Sequence, residues 1–396
     1  MTGPIDFTNL EQLLRASTPQ VAPAIQLVVQ QHGELCFANA YGRLEPEIDA
    51  APTQLTTRFD LASVTKLFVT TAFMRLVDQG VVALDQPVAS VLNGFGGKRP
   101  IQPYEDPLQS GALITVIAEV PVGTTVAADA VTFRHLLTHC AGLPAWRPLF
   151  RQANAAAARQ MAQQTFFSAP LGARMVYSDI GLILLGMAVE TLFGAPLDQA
   201  VTALVLAPLA LQQTGYLPIT DLRHPGQGCD PAAVAPTEFC RWRQRRVVAQ
   251  VHDENAARLG GVSGHAGLFS TAGDVARFGQ IFLDAGATAG FSLLKSSTVQ
   301  EMCRVQVVDG DTRRGLGFLL WSPDPMASSH PFSQDAFGHT GFTGTSLWMD
   351  PQRNLVVALL TNEVYYGRTN RGIAALRVAV HQAVVEAIDQ SSDRLR

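Results

Sequence analysis

Lysine is scarce in this chain of 396 residues: Lys66, Lys98 and Lys295 stand against 26 arginines. An arginine keeps its proton in a protein, whereas a desolvated lysine can act as a base, so a lysine in apolar surroundings invites a chemical reading. Lys66 closes the run Ser63-Val-Thr-Lys66 and is followed at once by Leu-Phe-Val-Thr-Thr-Ala-Phe-Met. If Ser63 opens that helix, Lys66 lies one turn on, on the same face, and its ammonium can reach the hydroxyl. The helix N-terminus favours negative charge developing at that point. The chemistry is that of a serine nucleophile assisted by an amine. Ser292-Leu-Leu-Lys295 has the same spacing, but it follows a Gly-rich loop and runs into Ser-Ser-Thr, a helix-capping composition, and is read as structural.

Two further clusters follow in chain order. Tyr177-Ser178-Asp179 precedes the apolar stretch Ile180 to Phe193, which places a phenol and two polar groups at a helix entrance. Gly338-His339-Thr340-Gly341 leads into Phe-Thr-Gly-Thr-Ser-Leu-Trp-Met, where small residues at a strand edge let a ligand approach the backbone. Other combinations are weaker. His252, Asp253 and His265 lack a third defined metal-ligand spacing and read as a polar loop lining a pocket or as a cap of hydrogen bonds. His135 and His139 lack the Glu of a zinc-protease motif. There is no Gly-x-Ser-x-Gly elbow, and Gly94 to Lys98 lacks the spacing and the Ser/Thr of a phosphate loop. Neither a metal nor a cofactor is expected.

These groups need a frame. Ala24 to Gln30 and Glu34 to Ala40 read as a hairpin, and Leu316 to Trp321, Thr345 to Met349 and Leu355 to Leu360 as three further strands. Helical periodicity covers Leu67 to Gln79, Phe133 to Thr138, Ile180 to Phe193, Asp274 to Ala285 and Gly372 to Ile388. Long Gly- and Pro-containing loops span Asn93 to Val131 and Pro218 to Val251. The pattern predicts an α+β fold: an antiparallel sheet built from both chain ends and flanked by helices, with a large helical insertion. The expected division is a sheet domain from 1–80 plus 305–396 and a mostly helical domain from 81–304.

Taken together, Ser63-x-x-Lys66, Tyr177-Ser178-Asp179 and His339-Thr340-Gly341 resemble the three motifs of the serine β-lactamase and penicillin-binding-protein superfamily. The pattern looks most like the class C β-lactamase branch, with its D-alanyl-D-alanine carboxypeptidases and esterases. Arg58 to Lys66, Leu84 to Pro87, Arg134 to Pro144 and Arg314 to Phe318 resemble it too, so the likeness runs over roughly residues 20 to 385. Val251 to Ala256 and Gly260 to Ala272 resemble a subgroup of β-lactamase-related serine hydrolases.

The resemblance implies that Ser63 forms the acyl-enzyme, that Lys66 and Tyr177 share the proton relay, and that the backbone N–H groups of Ser63 and Phe342 form the oxyanion hole. Asp179, His339, Thr340 and Gly341 would contact substrate. Two departures stand out. Asp179 occupies a position where Asn is commonest, and its charge favours a protonated Lys66, shifting the general-base role toward Tyr177. His339 replaces a Lys and supplies no fixed cation at neutral pH. Hydrolysis of an ester or small amide is therefore placed ahead of β-lactam or D-Ala-D-Ala cleavage, with acyl transfer and a non-catalytic ligand-binding scaffold as alternatives.

Composition limits the partners. Hydrophobic residues at 47% and charged residues at 16% exclude a disordered chain. The net charge of −4 and the lack of a long basic run argue against nucleic acid, and Arg241 to Arg246 reads as a solvated helix face. No apolar run approaches the ~18 residues of a membrane span, so no membrane partner is expected; the substrate that the resemblance implies is a small molecule or peptide. The first residues carry no secretory pattern, which reads as cytoplasmic, or periplasmic if a leader has been removed. Five scattered cysteines without zinc spacing read as buried free thiols.

Overall fold

The computed structural model describes residues 5–48, 51–109, 111–117, 120–121, 123–288, 290–369 and 372–393. Eight strands form the main sheet: β1 (Ala24–Gln31), β2 (Glu34–Gly42), β3 (Val307–Asp309), β4 (Thr312–Arg314), β5 (Leu319–Leu320), β6 (Phe337–Thr340), β7 (Ser346–Asp350) and β8 (Leu355–Thr361). Their order is β3-β4-β5-β6-β7-β8-β1-β2, and every neighbouring pair is antiparallel. The two chain ends meet where β1 pairs with β8, from Ile25 opposite Thr361 to Gln31 opposite Leu355.

β8 shows why the sheet is central. All seven of its residues are buried. Val356, Ala358 and Leu360 enter one core, and Leu355, Val357 and Leu359 enter the other. A strand covered on both faces reads as a continuous apolar run, as this one does. On one face lie α1 (Thr8–Ser17) and the C-terminal helix Ile373–Asp393, which contribute Leu10, Leu14, Leu376, Val380 and Val384. On the other lies the helix Ala272–Leu283, whose Phe278 stacks on Phe68 of α2 (Thr65–Asp78) at 3.8 Å between ring centroids. Its start is tied to the sheet by buried Gln26 of β1, which accepts from the Ala272 N–H at 2.9 Å. Ala272–Leu283 thus packs on the sheet although it belongs in sequence to the 81–304 stretch.

α2 in turn packs on α3 (Asp179–Phe193), a helix buried along Ile180 to Val189 because its sequence is apolar on every side. Ser178 caps α3, its Oγ accepting from the Gly181 N–H at 3.1 Å, and Gly194 ends it in the left-handed region at φ +78°.

Three expectations are corrected. Leu316 to Trp321 is strand only at Leu319–Leu320, because Gly317 turns at φ +78° and its N–H donates to the Leu137 carbonyl at 2.9 Å. A Cβ there would lie 2.6 Å from Thr70 Oγ1, so the chain dips against α2 before it joins the sheet. Arg241 to Arg246 is not a helix. It closes a hairpin between Phe239–Cys240 and Arg245–Arg246, and its guanidinium groups bind carbonyl oxygens: Arg246 those of Thr237 and Tyr365, Arg243 that of His252. The five cysteines are free, but only Cys140 and Cys240 are buried. The hairpin of β3 and β4 was not anticipated; its strands are three residues each and carry charged side chains.

Candidate active site

The turn that carries Ser63 is built under strain. Asp60, buried, accepts from the N–H groups of Ala62 at 2.8 Å and His252 at 2.6 Å. Ala62 sits at φ +44°, a conformation that costs a non-glycine residue on the order of 1–3 kcal/mol and persists only where its surroundings hold it. Thr343 Oγ1 and Thr345 Oγ1 donate to the carbonyls of Asp60 (2.7 Å) and Leu61 (3.0 Å), pinning the turn to the loop after β6. Ser63 follows in a short 3-10 turn, Ala62–Val64, that feeds directly into α2.

Lys66 is 1% exposed, and its Nζ lies 2.7 Å from Ser63 Oγ. It also donates to the His265 carbonyl at 3.1 Å and pairs with Asp179 Oδ1 at 2.9 Å. The Tyr177 ring lies beside it, 4.9 Å from Nζ to the centroid. Burial works to deprotonate Lys66, but the Asp179 carboxylate, followed by Tyr177, outweighs it and holds the ammonium above the ordinary lysine range. The His265 carbonyl reaches Lys66 because two glycines let its loop touch α3. A Cβ on Gly264 would fall 2.0 Å from the Leu182 carbonyl, and one on Gly186 would fall 2.9 Å from the Gly264 Cα.

Tyr177 is surrounded by nitrogen bases and cations. His139 and His339 lie at 4.7 and 5.9 Å between ring centroids, and the Arg314 guanidinium carbon is 4.9 Å from the Tyr177 centroid. His339 Nδ1 faces the Thr340 carbonyl at 2.7 Å, so that nitrogen donates and Nε2 carries the lone pair. Burial first, then Arg314 and Lys66, push the His339 imidazolium far down, and the ring is neutral. The same causes, in the same order, keep His139 neutral; its Nδ1 accepts from the Ser178 N–H at 3.0 Å. Arg314 is 6% exposed, forms no ion pair among the described residues, and its Nε and Nη1 find no acceptor there.

A cavity of about 460 Å³ opens over these groups, lined by Ser63, Tyr177, Arg314, His339, Thr340 and Phe342 among others. Phe342 is 47% exposed and stacks on His252. Gly341 lines the same wall, but its lack of a side chain serves packing: a Cβ would lie 2.1 Å from Thr345 Oγ1 and 2.5 Å from the Leu61 carbonyl. The structure therefore gathers Ser63, Lys66, Tyr177, Asp179, His339, Thr340, Gly341 and Phe342 in one place. Asp179 faces Lys66 rather than the open cavity, and Ser178 of the same motif is the α3 cap. His339 has its Nδ1–H committed to the backbone, and its Nε2 is buried with no hydrogen-bond partner among the described residues.

Arg314, His139 and Asp60 are members of the site that the sequence does not single out, whereas His265 reaches it through its backbone carbonyl. Arg314 and Asp60 lie in segments that resemble the superfamily, but neither the unpaired guanidinium nor the buried carboxylate is visible without the fold. The loop residues once weighed as metal ligands form a hydrogen-bonded chain: Asp253 Oδ1 to His265 Nε2 at 2.9 Å, and His265 Nδ1 to Ser263 Oγ at 2.9 Å. Among the described residues no group of His, Cys, Asp and Glu is placed to hold a metal ion. Ser292 and Lys295 lie elsewhere, with Lys295 Nζ donating to the Asp78 carbonyl at 2.8 Å.

Known proteins share this sequence and frame. An N-acetylmuramyl-L-alanine amidase of Bacillus subtilis is 32% identical over 387 residues, covering 90% of this chain and 80% of the relative. An Escherichia coli K12 protein named "Putative D-alanyl-D-alanine carboxypeptidase" is 28% identical, covering 90% of this chain and 82% of its own. The solved structure of EstCE1, described as a hydrolase with promiscuous acyltransferase activity, superposes with a TM-score of 0.69 at 21% identity, covering 95% of this chain and 99% of that one, a likeness of fold. The family described as Beta-lactamase matches residues 10–382, and the chain belongs to it.

Proposed function

We propose that the protein is a serine hydrolase that cleaves an ester or amide through an acyl-enzyme on Ser63. One observation carries this reading: a fully buried lysine ammonium 2.7 Å from a serine hydroxyl that opens on a cavity. Ser63 Oγ bonds to the substrate's carbonyl carbon as its proton passes to Tyr177, to which we assign the acceptor role as a phenolate beside the Lys66 ammonium that Asp179 holds. The tetrahedral oxyanion is met by the N–H groups of Ser63 and Phe342, with the unpaired Arg314 adding a fixed positive charge to the cavity. Collapse breaks the carbonyl carbon's bond to the leaving oxygen or nitrogen, which takes the proton. Water then repeats the sequence and releases the acid. The amide branch is supported by the relative named as an amidase.

The test is intact-mass spectrometry of wild type and Ser63→Ala after brief exposure to a fluorophosphonate, a p-nitrophenyl ester and a chromogenic cephalosporin. An adduct on wild type alone is expected, with turnover of the ester exceeding that of the cephalosporin. Absence of any adduct on wild type refutes the reading.

A further inference from the structure

A second cavity, about 1110 Å³, adjoins the first, and Arg368 lines both. Its walls come from loops that the chemistry at Ser63 does not use: the segment around Glu105, the segment 146–151, the hairpin after Phe239 and the turn after β8. Six aromatic residues line it among charged ones. Trp146, Phe150 and Trp242 form a contiguous set, with centroids 6.2 Å apart for the first pair and 5.5 Å for the second. Phe239 is 55% exposed on the same wall, and Leu108 is 67% exposed beside it. Apolar surface left open next to a reactive serine marks a ligand surface.

The polar groups say what kind. Five carboxylates and four guanidinium groups line the cavity, so its charge nearly cancels. Several are paired with one another: Arg151 with Glu105 at 2.6 Å, and Arg368 with both Glu238 and Glu254. Such walls offer donors and acceptors side by side without demanding a charged ligand. A fatty acyl chain would leave them unused, and an anion would find Arg151 and Arg368 already paired with carboxylates and Arg246 bound to carbonyls. A hexopyranose fits both features. Its C–H face lies on an aromatic ring, and its hydroxyls both donate and accept around the rim.

From this juxtaposition we infer that the aromatic cavity is a saccharide-binding subsite, holding a neutral hexopyranose carried by the substrate beyond the bond that Ser63 attacks. The inference rests on the Ser63 reading only for the position of that bond. Binding of the sugar there supplies affinity and orientation remote from the reacting centre.

The experiment is saturation-transfer NMR on the full-length Ser63→Ala protein with N-acetylglucosamine as probe and a tetrapeptide of alanine as control. Saturation of the sugar's ring protons is expected, with none on the peptide. Trp146→Ala and Phe239→Ala should each weaken sugar binding about tenfold, the loss of one stacked ring. Phe239 is exposed, so circular dichroism of Phe239→Ala serves as the control that the fold is intact. No transfer to the sugar, transfer to the peptide in its place, or undiminished binding in both variants overturns the subsite. Fluorophosphonate labelling of the wild type reads the nucleophile separately. A labelled Ser63 without sugar binding refutes the subsite alone, and sugar binding without labelling refutes the hydrolase reading alone.

Discussion

Replacing Asp179 by Asn keeps the shape of the pair with Lys66 and removes its charge. At 2.9 Å and an effective dielectric constant of about 20, the Coulomb attraction is about 6 kcal/mol before desolvation is counted. Lys66 is 1% exposed and Asp179 is 23% exposed, so part of that attraction is already screened, and a loss of about 2–4 kcal/mol is expected. The ammonium escapes much of the penalty by releasing its proton, because burial, the largest influence on Lys66, is then unopposed by its principal partner. The sign follows. In the wild type the raised value makes the pair's stabilisation complete below the ordinary lysine value of 10.5, and it is lost only as pH climbs through the raised one. In Asp179→Asn, Lys66 should titrate below 10.5. With three lysines in the chain, ε-carbon-labelled lysine gives three resonances, and Lys66→Arg assigns the one of interest. The wild-type signal should stay that of an ammonium to pH 10.5, and that of Asp179→Asn should shift at lower pH, with a new ionisation in kcat/KM for a p-nitrophenyl ester. If the Lys66 resonance titrates at or above its wild-type position in Asp179→Asn, the electrostatic account of this site is wrong.

Other consequences are open to direct measurement. Lys66→Arg retains the charge but puts a planar guanidinium where a compact, buried ammonium meets both Ser63 Oγ at 2.7 Å and Asp179 at 2.9 Å, and ester turnover should drop by at least about 100-fold, read by steady-state kinetics. Gly341→Ala drives a Cβ against Thr345 Oγ1 and the Leu61 carbonyl; thermal melting should report a loss of about 1–3 kcal/mol, and fluorophosphonate labelling of Ser63 should slow because Leu61 belongs to the turn that carries Ser63. Arg314→Met removes a buried cation with no carboxylate partner among the described residues. Its melting temperature should hold or rise while kcat falls about tenfold or more, and a fall in both would assign Arg314 to the fold.

The periodic elements were legible in the sequence because their side chains declare what they bury. α2, α3, Ala272–Leu283 and the C-terminal helix begin and end within a few residues of the expected bounds, apart from the longer C-terminal end of the last. β1, β2, β7 and β8 do likewise. Short strands such as β3, β4 and β5 carry too few residues for a period of two to show, and Gly317 breaks the run that should have been one strand. The arginine-rich stretch looked like a solvated helix because composition registers charge but not the carbonyls that receive it.

By itself the sequence determined the local chemistry: a serine and a lysine one turn apart, a tyrosine and an aspartate at the mouth of an apolar helix, and a small-residue strand. Helical spacing alone makes the first pair meet, as it does at 2.7 Å. Everything that gives those groups their character came from tertiary structure. Only the approach of α3 to α2 sets Asp179 against Lys66, and only the fold buries His139 and His339 beside Arg314 and Lys66, which keeps both rings neutral, and leaves Arg314 without an ion pair among the described residues. The aromatic cavity likewise draws on loops more than 200 residues apart. Charge state and cavity shape depend on what surrounds a group in space, and spacing along the chain holds no record of that.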